Sequence, residues 1–77
     1  MTEAKFNELK DFIEHAGVDK YNPSLKYFQP DVPFMEAALK NQKVEDYVPA
    51  LLYYSSFATD PECRAYCKQR LKEVPLN

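Results

Sequence analysis

Seventy-seven residues, 45% of them apolar, with a formal net charge of −2, describe one small domain, because a chain this short buries only about 60% of its unfolded surface and cannot support two cores. Ten basic against twelve acidic residues produce no overall field that would draw the chain to nucleic acid or anionic lipid. A single glycine excludes the phosphate-binding and dinucleotide-binding loops, which need several.

The remaining bounds are also negative. Two cysteines are too few for a secreted disulfide scaffold, which points to an intracellular, reducing compartment, cytoplasmic by default. Glu3, Glu8, Asp11 and Glu14 are foreign to a signal or transit peptide. No apolar run approaches the roughly 18 residues of a membrane span, so membrane insertion is not expected. Charge is nevertheless uneven: residues 1–19 hold two Lys against five acids, whereas residues 62–73 hold four bases against two acids.

Along the chain, Phe6, Leu9, Phe12, Ile13 and Ala16 recur at spacings of three and four and predict an amphipathic helix over 2–16. Thr2 is its N-cap and Gly17 its C′ residue, with Val18 set to touch Ile13. A short second helix over 23–28 has Asn22 as cap and Pro23 as first residue, and Gln29-Pro30 ends it. Asp31 caps a third helix over 33–42, whose Ala37-Ala38 pair suits close helix contact. Glu45 and Asp46 stand at the start of a fourth, placed at 47–58 so that Pro49 falls in the first turn. Its apolar arc is so wide that this helix should be the most buried. Thr59-Asp60-Pro61-Glu62 is the clearest start signal, opening a last helix over 61–73 that Pro75 terminates.

The expected fold is therefore all-α: a compact array of four to five short helices in one domain over 1–74, with a short tail over 75–77. No strand-period run or hairpin turn competes with it.

Few residues suggest chemistry. Cys63 and Cys67, four apart on a helix, share a face and read as small apolar members of the stripe with Tyr66, Leu71 and Val74. An intrahelical disulfide is not expected, since i,i+4 Cβ atoms lie about 5–6 Å apart and a bridge needs about 3.5–4.5 Å. The lone Cys-x₃-Cys is similar to one half of the paired motif of small helical proteins of the mitochondrial intermembrane space, but the second pair is missing. A zinc site wants about four ligands, and His15 is the single histidine; no metal and no cofactor are expected. His15 itself reads as a surface residue complementing a helix dipole. Ser55-Ser56 lacks the glycine-flanked elbow of a serine nucleophile. Catalysis is not expected.

Arg64, Lys68 and Lys72 fall at i, i+4 and i+8 with Arg70 nearby, a possible anion or nucleic-acid face flanked by Glu62 and Glu73. Six tyrosines are many for such a chain. Tyr53 and Tyr54 diverge by about 100° on a helix, so one of the two should reach the surface, as should Tyr27 beside its short helix. Exposed tyrosines suit protein contacts.

Ala37-Ala38, Asp46-Tyr47, Ala50-Leu51, Tyr53-Tyr54 and Asp60-Pro61, all within residues 34–61, resemble one tetratricopeptide helical hairpin. The chain has no second copy of the pattern and carries Pro49 inside the second helix. The resemblance implies a helical hairpin with a leaning to peptide or protein binding.

The expected function is that of a non-catalytic protein-interaction module or small accessory subunit, contacting its partner through Tyr27, Tyr53, Tyr54, Arg64, Lys68 and Lys72. Two alternatives remain open. One is a thiol-dependent redox or metal protein using Cys63 and Cys67; the other is weak nucleic-acid binding through the basic stripe, which the acidic balance disfavours.

Overall fold

Two Asp-x-Pro and Asp-Pro punctuation marks act as the sequence predicts. In the computed structural model, which describes residues 1–15 and 28–76, Asp31 accepts a hydrogen bond from the Phe34 amide at 2.9 Å. Asp60 accepts one from the Glu62 amide at 3.1 Å. Each carboxylate satisfies an amide that the first helical turn leaves without a partner, and the proline beside it needs none. Thr2 does the same through its hydroxyl, 3.2 Å from the Lys5 amide.

The described helices are α1 (Glu3–His15), α2 (Val32–Lys40), α3 (Val44–Phe57) and α4 (Pro61–Lys72), with no strand among the described residues. The fold is all-α and compact, with extents of 29 × 24 × 20 Å. The expected helix over 23–28 and the Gly17 cap with Ala16 and Val18 lie outside the described residues, except for Phe28, which is not helical.

Two boundaries need correction. Helix α2 stops at Lys40, not Gln42, because Asn41 closes it: its amide bonds to the Ala38 carbonyl and its side chain donates to the Ala37 carbonyl, each at 3.3 Å. Helix α3 begins at Val44, three residues ahead of the start at 47 expected from Pro49. The Lys43 carbonyl accepts from both Asp46 and Tyr47 at 2.9 and 3.1 Å, which starts the helix before the proline arrives. Pro49 is then the sixth helical residue, and the bond it cannot donate is the one to the carbonyl of Glu45, an exposed residue whose carbonyl can accept from water instead. Glu45 and Asp46 in the first turn add favourable dipole interactions.

Helix α3 is the central element, packed against both α1 and α4, while α2 leans on α4. Its buried residues run from Val48 through Ser55, so nearly its whole circumference from the second turn onward is covered. Leu9 and Ile13 of α1, Met35 and Leu39 of α2, and Cys63 and Cys67 of α4 complete the core, with Val74 closing its end. Each fully buried aliphatic chain contributes about 1.5–3 kcal/mol. Ser55, inside this core, keeps its hydroxyl satisfied on the Leu52 carbonyl at 2.9 Å.

The hairpin implied by the tetratricopeptide resemblance is not the one that forms. Its two helices, α2 and α3, do not pack closely along their length; α3 pairs most extensively with α4 instead. Close pairing of α2 is with α4, and a groove opens between α2 and α3. The segment ahead of α2 is tied across the molecule by Gln29, whose side-chain oxygen accepts from both the amide and hydroxyl of Thr59 at 3.0 and 3.2 Å.

Candidate functional site

One of Tyr53 and Tyr54 is expected at the surface, and neither reaches it. Tyr53 is 9% exposed and Tyr54 2%, because α1 and α4 both pack on α3 and adjacent residues 100° apart both find neighbours. Their rings meet edge to face with centroids 5.1 Å apart, and Tyr53 also stacks on Phe57 at 4.9 Å. Burial, followed by the neighbouring Tyr53 and the two thiols, pushes the Tyr54 phenol up to about 12. Tyr27 lies outside the described residues.

The basic stripe is divided in the same way. Arg64 is half-buried and donates from Nη1 to the Ala58 carbonyl at 2.7 Å, closing the C-terminus of α3 in place of a helical amide. Arg70 stands 3.7 Å from Glu73. Lys68 and Lys72 are exposed, on the side of α4 away from Cys63 and Cys67. Of the six residues expected to form one contact face, Tyr53 and Tyr54 are buried and Arg64 is engaged within the fold, while Lys68 and Lys72 remain exposed.

Cys63 and Cys67 are fully buried, one helical turn apart on the inner face of α4. Burial, reinforced by Cys63, pushes the Cys67 thiol up to about 12; burial also raises Cys63, against the opposing effect of neighbouring Cys67. Little thiolate is present at neutral pH in such a setting, and the thiolate is the reactive form and the metal ligand. His15 sits with Asp11 and Glu14 on the exposed end of α1, the potential ligand atoms of the three within 4.8 Å of one another. Its Nδ1 is 3.0 Å from the Asp11 carbonyl of its own helix.

The sequence reading missed the phenylalanines. Phe28 is 44% exposed and Phe34 49%, yet their rings pack on each other with centroids 4.7 Å apart. They stand at one wall of a groove of about 250 Å³ between α2 and α3, whose floor includes Met35, Leu39, Ala50 and Tyr54 and whose far side carries Tyr47 and Asp46. Val32 and Pro33 occupy the first turn with Phe34, so Phe34 projects from the start of α2 while Met35, the next residue, enters the core. A sequence signal for this existed in Phe34 preceding the stripe Met35, Ala38, Leu39. It could not be separated from an ordinary core phenylalanine without knowing that α2 leans away from α3. A second groove of about 380 Å³ lies between α2 and α4, with Tyr66 and Leu39 among charged neighbours of both signs, including Glu36, Lys40 and Arg70.

No family model, no curated protein and no solved structure matches this chain.

Proposed function

We propose that this chain is a non-catalytic protein-interaction module, and that its contact surface is the groove between α2 and α3 rather than the tyrosine pair. The supporting observation is the tilted Phe28–Phe34 ring pair, nearly half exposed beside an apolar groove. Large rings left in water at a concave edge lose little further entropy on binding and gain a buried surface when a partner side chain enters. Tyr54 takes part in the floor of the groove, and Lys68 and Lys72 provide a separate cationic edge on α4. An accessory role in a larger assembly follows from the same surface.

A peptide-display selection tests the reading. Selected peptides should bind the wild-type domain and lose at least about tenfold in affinity to Phe34→Asp, a change that α2 tolerates because an acid suits its first turn. Failure to enrich any sequence, or binders indifferent to Phe34→Asp, would refute it. No observation favours the thiol or nucleic-acid alternatives over this reading, since both thiols are buried and Arg64 is engaged within the fold.

A further inference from the structure

On the premise that the α2–α3 groove is the contact surface proposed above, one of its walls is held from outside it. We infer that Gln29 and Thr59 form a clasp that positions Phe28, which makes both of them positioning residues for partner binding.

Neither Gln29 nor Thr59 lines the groove, so neither would touch a guest seated in it. Gln29 is nevertheless the chain neighbour of Phe28, and its Oε1 accepts from the Thr59 amide at 3.0 Å and from the Thr59 hydroxyl at 3.2 Å. A backbone amide only donates, so the atom facing it is the oxygen of the Gln29 side chain and not the nitrogen. The two bonds tie the segment ahead of α2 to the corner between α3 and α4.

Phe28 lies outside any helix, so no helical bond fixes its direction. Pro30 is buried and, as a proline, biases Gln29 towards extended backbone, which anchors the chain on one side of that residue. Rotation between Phe28 and Gln29 is left over, and a side chain of Gln29 held at its tip limits it. Phe34 shares the task through its ring contact, yet both rings remain nearly half exposed. The effect on binding is bounded. A partner that needs Phe28 in place binds in proportion to the fraction of molecules holding it there, and two exposed neutral hydrogen bonds shift that fraction by about tenfold.

NMR of the labelled full chain tests the positioning with no ligand present. Gln29→Ala should speed hydrogen exchange of the Thr59 amide severalfold and weaken the nuclear Overhauser contact between the Phe28 and Phe34 rings, with helical circular dichroism unchanged. Gln29→Glu keeps an acceptor oxygen at the same reach and should retain both signals; Thr59→Val keeps the amide bond and the side-chain shape and should fall between. Peptides from the display selection should bind Gln29→Ala about tenfold and Thr59→Val about threefold more weakly than wild type, and Gln29→Glu within about twofold. An unchanged ring contact in Gln29→Ala would overturn the clasp, and so would equal losses in Gln29→Ala and Gln29→Glu. Peptides sensitive to Phe34→Asp but indifferent to Gln29→Ala would leave the interaction reading standing and sink this one. A loosened ring pair with no peptide enriched would uphold the positioning of Phe28 while the interaction reading fell.

Discussion

Native-state labelling of the two thiols offers the sharpest test of how α4 is held. Both cysteines are 0% exposed, so a chromogenic disulfide reagent reaches them only through opening of the fold. At about pH 8 an unhindered cysteine, with a pKa near 8.5, is roughly one quarter thiolate. Cys67, pushed up to about 12, is about one part in ten thousand. Chemistry alone therefore slows its native-state reaction by more than about a thousandfold, before access is counted. Access imposes a similar factor. At roughly 0.05–0.15 kcal/mol per residue a chain of 77 residues has a stability of about 4–12 kcal/mol, so its open form is populated at about one part in a thousand or less. Reaction then runs through the open form, where both thiols are ordinary. Stopped-flow absorbance should show both reacting together, at a rate that rises exponentially with urea as opening becomes easier. The single variants Cys63→Ala and Cys67→Ala identify each thiol's own rate. Reaction of either within seconds in native buffer, at the rate of free cysteine, would refute the buried-pair argument and revive a thiol-dependent function.

Three further outcomes follow from the same geometry. The raised thiol of Cys67 and the raised phenol of Tyr54 favour the fold while protonated. Their contribution is complete below about pH 9 and is lost as pH rises toward 12, Tyr54 adding its part above about 10. Urea midpoints measured between about pH 8 and 10.5 should fall, and Cys67→Ala should flatten the lower part of the decline; a rising midpoint would contradict both burials. Removing a cap carboxylate, Asp60→Ala or Asp31→Ala, should cost about 1 kcal/mol each in chemical denaturation, with Asp→Asn largely retained; no loss at either would mean that proline and packing alone start those helices. Arg64→Ala should cost about 1–2 kcal/mol by losing the charged bond to the Ala58 carbonyl, whereas Lys68→Ala and Lys72→Ala should stay within about 0.5 kcal/mol. Equal effects at all three positions would restore the stripe as one surface feature.

Helix identity was decided locally and so could be read from the chain. Asp31 and Asp60 followed by proline, the stripe Phe6, Leu9 and Ile13, and the breadth of the apolar arc in α3 each act over one or two turns, through bonds and faces that no distant residue has to complete. That is why the all-α class, the caps and the dominance of α3 were legible. Boundaries failed where a local rule was balanced against another: Pro49 forbids one bond, but the Lys43 carbonyl and the acids of the first turn start α3 ahead of it.

The surface was a different matter, because exposure is a property of what packs on a residue. Tyr53 and Tyr54 vanish into the core since α1 and α4 both pack on α3, and Arg64 turns inward to an open carbonyl at the end of the preceding helix. Phe28 and Phe34 stay out since α2 rests on α4 and leaves a groove against α3. Hydrogen bonds between near neighbours write themselves into spacing, whereas the angle at which one short helix crosses another depends on every side chain at the contact, and that angle chose which rings meet water.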